Sequence, residues 1–360
     1  MRLNAQARDS NMPGVVRESA AFPRCPLSRM LGTFFQCDPD LRLCGTSIYL
    51  DPGEPRETGI LTHAHADHIG RHQRYIATPA TAAFLRARAG EDLKGIELPF
   101  GEKLALEGGT ELTFHPAGHI LGSAMPLLRG NEGSLLYTGD FRLRPSLTAE
   151  PADVPRADAI IMESTYGAPE WRFPSREELA GRLDEIVRGI LGRGRVPVLL
   201  AYSLGKSQEA AAMLARLGHR TVLHPVAARH ARTYEHFGVD LGAWEEWSTQ
   251  GALFGGKTSA KLEGKVLVIP PHCQRDLRRV PHRETVALTG WALRWPERQK
   301  ADHATPLSDH ADFDELLELI ERASPRIVYV THGSARFAKE LRARGIAAEF
   351  LRKKPQMRLF

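Results

Sequence analysis

The strongest constraint on this chain is the run Thr62-His63-Ala64-His65-Ala66-Asp67-His68, which directly follows the apolar segment Thr58-Gly-Ile-Leu-Thr62. On an extended segment alternate side chains point the same way, so His63 and His65 share a side. Asp67 and His68 then open the next element, expected to be a helix starting near Asp67, and address a second position from another angle. Imidazole and carboxylate are the donors that suit Zn²⁺, with Mn²⁺ or Fe²⁺ as substitutes. Two isolated residues extend the set. His119 lies in His115-Pro-Ala-Gly-His-Ile-Leu-Gly-Ser123, and Asp140 ends the strand pattern Leu135-Leu-Tyr-Thr-Gly-Asp140. Either alone is as readily a turn residue or a helix cap; their order and spacing relative to the histidine cluster give them value.

At 360 residues the chain is long enough for two domains. No apolar run approaches membrane-spanning length, so a soluble globular protein is expected, with no membrane partner. Residues 1–30 lack an apolar signal core and read as a disordered leader, within which Met30 is a second candidate start. The four cysteines (Cys25, Cys37, Cys44, Cys273) form no CxxC pair, which points to a reducing cytoplasm and away from a disulfide framework or a zinc knuckle. The net charge of +5 is unevenly spread. Residues 31–170 carry −7 and residues 171–284 carry +6, which suits a carboxylate-rich site beside a surface that attracts polyanions.

Short strands around a Pro/Gly turn are expected at 46–50 and 58–62, and a helix over 79–89 with Thr78 as its cap. Further strands are expected at 111–114, 134–138 and 159–163. Beyond Tyr166 the pattern becomes an α/β alternation: a helix over 175–190 opened by Ser175-Arg-Glu-Glu178, a strand at 196–201 and a helix at 207–217. Strands at 266–269 and 285–289, a loop over 295–309, a helix at 313–323 and a strand at 327–330 complete the chain. The simplest partition is a discontinuous catalytic domain, 31–170 and 285–360, around an α/β insert at 171–284.

Taken in order, these residues resemble the metallo-β-lactamase superfamily, whose HxHxDH motif, downstream His and downstream Asp they match one by one. The resemblance implies an αββα sandwich holding two divalent metals, Zn first and Mn second. In it His63, His65 and His119 hold one metal, Asp67 and His68 the other, and Asp140 bridges them. Asp51 matches an acidic residue that supports the site without binding metal. Three later motifs narrow the branch. Ile161-Met-Glu-Ser-Thr-Tyr-Gly167 places Glu163 at a strand end, Pro306-Leu-Ser-Asp-His-Ala-Asp312 supplies His310, and Val330-Thr-His-Gly-Ser334 supplies His332. These are similar to motifs of the β-CASP nucleases, and the inserted α/β unit falls where that branch carries its β-CASP domain.

By that resemblance His332 completes the second metal site, and Asp67, Glu163 and His310 carry the chemistry, His310 beside the leaving group and oriented by Glu163. The bland alternatives are a helix cap for His310 and a hydrogen-bonded strand end for His332. Gly205-Lys206-Ser207 superficially evokes a P-loop, but the first glycine that motif requires falls at Leu200. Lys206 is as readily a solvated lysine as a phosphate contact. Glu163 and His332 are residue types of RNA-processing members such as ribonuclease J and the mRNA 3′-end factors. The compact size, Thr289-Gly-Trp291 and Thr331-His-Gly333 instead resemble bacterial DNA ligase-associated repair exonucleases. The expected function is therefore a two-metal DNA exonuclease in repair, associated with other repair proteins. An RNA-processing nuclease and a small-molecule metallo-hydrolase stand as the alternatives.

Overall fold

Alternating burial along the strands sets the layers of the computed structural model, which describes residues 34–37, 40–70, 72–90, 93–248 and 262–351. The expected leader, 1–30, lies outside them. In the strand Arg74–Ala77, Ile76 faces one core while Tyr75 and Ala77 face another. In Ala159–Ser164, Ile161 and Ile160 divide in the same way. A sheet with both faces apolar must be covered twice.

The first sheet runs in chain order through Phe35–Cys37, Leu41–Leu43, Ile48–Leu50, Thr58–Ile60, Arg74–Ala77 and Lys94–Glu97. The second has seven strands in the order Ala348–Phe350, Ile327–Gly333, Ala159–Ser164, Gly133–Tyr137, Ala124–Gly130, Glu111–Pro116 and Lys103–Ala105. One core, with Leu50, Ile60, Phe114, Tyr137, Ile161 and Tyr329, joins their inner faces. Helix Pro79–Ala89 covers the outer face of the first sheet through Ala82 and Leu85. Helices Phe313–Ala323 and Ala335–Ala343 cover the outer face of the second.

The third sheet is parallel throughout, in the order Trp244–Glu246, Arg220–Leu223, Lys265–Ile269, Val196–Leu200, Arg283–Leu288 and His303–Thr305. Its central strand, Val-Pro-Val-Leu-Leu, is buried along its whole length, as a strand covered on both faces must be. Helices Arg176–Gly192, Lys206–Arg216 and Pro225–His236 cover one face in a core that also takes in Ala64, Phe84, Ile120 and Leu121 of the first unit. Leu200, Trp247, Leu267, Ile269 and Val280 pack on the other face.

The expected caps form. Thr78 Oγ1 accepts from Thr81 N, and Ser175 and Glu178 close a capping box. Three expectations need correction. The helix expected near Asp67 is a single 3-10 turn, Ala66–His68, because the chain re-extends at Ile69 to enter the next strand. The loop expected over 295–309 contains the 3-10 turn Pro296–Gln299 and the strand His303–Thr305. Strands Arg283–Leu288 and His303–Thr305, expected in the catalytic unit, pair within the third sheet. Among the described residues no helix is long and apolar enough to cross a membrane.

Candidate metal centre

The C-terminal ends of several strands converge on one pole. After Thr58–Ile60 comes the histidine run, after Gly133–Tyr137 comes Asp140, and Glu163 and His332 sit within the last residues of their strands. Gly139 has φ +52°, and a Cβ there would come within 2.6 Å of Thr62 Oγ1. The loop carrying Asp140 can approach the histidine run only because that residue has no side chain.

The hydrogen bonds fix each imidazole. Thr62 Oγ1 donates to Asp51 Oδ2 at 2.6 Å, so the hydroxyl accepts from His63 Nδ1 at 3.0 Å. His65 Nε2 donates to the Leu204 carbonyl at 3.1 Å and His119 Nδ1 to the Asp309 carbonyl at 2.8 Å, since a carbonyl can only accept. His68 Nδ1 donates to Asp51 Oδ2 at 2.9 Å. Asp51, with φ +36°, also accepts from Thr62 N at 2.8 Å. Its carboxyl is held below the usual range: burial would raise it, but His68 and Thr62 outweigh burial.

What remains is a set of lone pairs aimed at one another. His65 Nδ1 lies 3.2 Å from His63 Nε2 and 3.1 Å from His119 Nε2. Asp140 Oδ2 is 3.6 Å from His63 Nε2, 3.5 Å from His68 Nε2 and 3.9 Å from His119 Nε2. Nitrogen lone pairs this close repel unless a cation lies among them, and nitrogens ligated tetrahedrally at the usual zinc distance stand about 3.3 Å apart. Burial, with the neighbouring imidazoles, keeps His63 neutral well below the ordinary histidine range and lowers His119 to about 3. The donors therefore fit a divalent metal.

The donor atoms form overlapping groups, His63–His65–His119–Asp140 and His68–Asp140–His332, which share Asp140. The His332 ring lies 5.4 Å from that of His68, on a residue with φ +47°. Asp67 belongs to the 3-10 turn, but its side chain lies outside the described residues. His310 Nδ1 reaches Glu163 at 3.0 and 3.1 Å and stands 4.0 Å from Asp140 Oδ2. Burial opposes a charge on this imidazole, but Glu163 and Asp140 outweigh it and raise it to about 10. The cap alternative for His310 falls away, because Asp312 Oδ1 accepts from Asp314 N and Glu315 N at the start of the helix.

Lys206, weighed as a phosphate contact, is committed elsewhere: its buried ammonium donates to Asp309 Oδ1 at 2.6 Å. Sequence reasoning missed Leu204 and Asp309, whose carbonyls orient the His65 and His119 imidazoles, and Arg142, whose guanidinium donates to the Ser308 carbonyl at 2.7 Å. Backbone acceptors leave no residue-type signal. Asp309 had one, its place in Ser308-Asp-His310.

Residues 301–352 match the family model described as a Zn-dependent metallo-hydrolase RNA specificity domain. A probable DNA ligase of Opitutus terrae is 39% identical over 308 residues, which are 83% of this chain and 29% of that protein. The 5′ exonuclease Apollo of Gallus gallus is 28% identical over 78% of this chain and 61% of its own length. The transcription termination factor FttA of Pyrococcus abyssi is 38% identical over 44% of this chain and 31% of its own length. This chain thus spans less than two thirds of each of these relatives. A crystal structure of a protein of unknown function from Enterococcus faecalis V583 shares the fold, with a TM-score of 0.57 at 15% identity, covering 83% of this chain and 80% of that one. The converging imidazoles around a shared aspartate, the matched C-terminal segment and the DNA ligase and Apollo relatives agree with the resemblance to the β-CASP branch of the metallo-β-lactamase superfamily.

Proposed function

We propose that the protein is a two-metal phosphodiesterase that hydrolyses nucleic acid, acting as a DNA exonuclease in cytoplasmic DNA repair alongside other repair proteins. The observation that carries this reading is the pair of donor groups sharing Asp140, with His310 and Glu163 beside them. On this reading the helix–sheet–sheet–helix stack is the αββα metallo-β-lactamase sandwich, and the third-sheet unit, 171–305, is the β-CASP insert. On the same reading the insert extends beyond residue 284, a view supported by sheet pairing that continues to Thr305.

His63, His65 and His119 would hold one ion and His68, Asp67 and His332 the other, with Asp140 shared and Zn²⁺ favoured over Mn²⁺ by the donor set. Such ions supply Lewis-acid charge and a nucleophile at neutral pH. The chain's own residues do the rest. Asp51 and Thr62 hold His63 and His68 in the ligating tautomer. Glu163 keeps His310 protonated, and His310 hands that proton to the departing sugar oxygen.

DNA is favoured by similarity over 83% of the chain to a probable DNA ligase and by a relative named as a 5′ exonuclease. An RNA substrate is the second reading, favoured by the RNA specificity description matched at 301–352. End-labelled single-stranded DNA and RNA of one sequence, incubated with the protein and Zn²⁺ or Mn²⁺, discriminate between them. The expected result is progressive shortening of DNA, abolished in Asp140→Ala. Cleavage by that variant, or hydrolysis of a simple ester with neither nucleic acid touched, overturns the proposal.

A further inference from the structure

Among the described residues four large apolar side chains are exposed, Ile96, Tyr202, Phe237 and Trp291, and two of them adjoin the metal centre. Tyr202 lies on Lys206, whose ammonium is bound by Asp309. Trp291 lies nearer the reacting groups. Its ring is 5.0 Å from that of Tyr166, and the Tyr166 ring is 6.2 Å from that of His310. Placed end to end, those separations put the indole within about two nucleotides of His310 along a single strand.

The indole is held rigidly. It stacks on Trp295 at 5.7 Å with 18° between planes, and Trp171 stands perpendicular to it at 5.2 Å. Tyr166, Trp171 and Phe173 form a separate buried cluster beneath it. Gly290 makes this possible, since a Cβ there would sit 2.3 Å from Tyr166 Oη. Thr289 Oγ1 accepts from Trp291 N at 3.4 Å, capping the short turn that presents the ring. With three rings fixing it, the indole still keeps 38% of its surface open. Exposed cations follow on the same segment, Arg294, Arg298 and Lys300, and Arg298 lies 5.3 Å from the Trp295 ring centre.

We propose that Trp291 is a stacking platform for a nucleobase of the strand being cleaved, close to the scissile linkage, with the 294–300 cations along the adjoining phosphates. The proposal rests on the nucleic-acid reading above. Aromatic stacking accepts any base, so the residue contributes affinity and register without sequence preference. Loss of one stacked base costs about 5- to 150-fold in affinity, by the usual alanine-substitution range.

The test is fluorescence anisotropy with a labelled ten-nucleotide single strand and the same strand made abasic at the two nucleotides nearest its cleaved end. Wild type, Trp291→Ala, Trp291→Leu and Trp291→Phe are compared in the full chain. Trp291→Leu retains apolar volume over Tyr166, and melting temperatures show whether each variant folds. The expected result is at least a 5-fold loss for the Ala and Leu variants on the normal strand, less than about 2-fold on the abasic strand, and retention by Phe. Equal losses on both strands, no loss on either, or no binding by wild type overturns the proposal. Hydrolysis is scored separately: wild type that binds with this base dependence but cleaves neither DNA nor RNA refutes the proposed activity and leaves the platform standing.

Discussion

Glu163→Gln tests the proton donor with the smallest change in shape. Glu163 is buried and accepts from His310 Nδ1, Phe141 N at 3.1 Å and Thr165 Oγ1 at 2.5 Å. Its charge is the largest favourable influence on His310, which stands at about 10 against an ordinary 6.5 despite burial. A shift of that size corresponds to roughly 5 kcal/mol in favour of the imidazolium. The glutamine keeps the volume and one acceptor but leaves Asp140, at 4.0 Å, and the weaker influence of Asp309 to favour the charge. Cations bound beside Asp140 would lower the imidazolium's pKa further, so the variant's His310 should titrate nearer neutrality. A general acid works only while protonated, so activity is lost as pH rises through its pKa, and a lower pKa brings that loss to lower pH. The expected result at pH 8 is a kcat drop of about 10²- to 10³-fold with KM little changed, within the usual range for a general acid. The assay is hydrolysis of an end-labelled single strand from pH 6 to 9.5. The cycle with His310→Ala adds a second criterion: the double variant should be no slower than His310→Ala alone, because the two residues act as a unit. A Glu163→Gln enzyme with wild-type kcat, or a slower one whose alkaline limb has not moved, refutes the reasoning.

Lys206→Ala strands the largely buried Asp309 carboxylate and should cost about 3 kcal/mol in urea unfolding, while Lys206→Met with Asp309→Leu costs less; an unchanged midpoint in the single variant shows the pair to be inert. Metal removal leaves His68 protonated, because Asp140 and Asp51 raise it well above its usual value although burial opposes this. In the metal-free protein that contribution is present below the unfolded value and is lost as pH rises through the folded one, so chelation should lower the melting temperature most at alkaline pH. Zn²⁺ uptake at neutral pH should release a proton, read by calorimetry in buffers of different ionisation heat; buffer-independent heats contradict this. His230, whose ring lies 5.8 Å from Phe84, is lowered to about 4, first by burial and then by Arg88 and Arg229. A neutral imidazole of this kind contributes stability that is complete above about 6.5 and is lost as pH falls toward 4, at most about 3 kcal/mol. His230→Leu should flatten the unfolding profile between those values, and an unchanged acid slope counts against the assignment.

The converging imidazoles and Asp140 were legible because metal-binding chemistry favours particular residue types, and HxHxDH concentrates them where no core argument explains polar side chains. Helices were legible where caps announced them, as at Thr78 and Ser175. The extent of the third sheet was not. Arg283–Leu288 and His303–Thr305 carry ordinary strand sequences, and a buried parallel strand reads alike whichever sheet it joins. The aromatic stack was equally hidden, since Tyr166 and Trp291 meet across a separation that periodicity cannot bridge.

The least legible contacts carry the main link between the two units. His65 and His119 are fixed by the carbonyls of Leu204, in the third-sheet unit, and Asp309, in the segment that follows its last strand. The same junction is packed by a core that mixes Phe84, Ile120 and Leu121 with Leu204, Ala228 and Tyr234. It is also hydrogen-bonded through Glu209, which accepts from Ser146 Oγ, Leu147 N and Thr148 Oγ1. An ion at His63, His65 and His119 would gain affinity from imidazoles locked in the ligating tautomer, and for His65 that lock exists only while the unit carrying Leu204 is docked. Docking and metal occupancy therefore stabilise each other by the same free energy, whichever comes first. A cavity opened at the Leu204 side chain or at Tyr234 should weaken metal affinity as well as stability. A carbonyl that has drifted from His65 no longer chooses which nitrogen faces the ion.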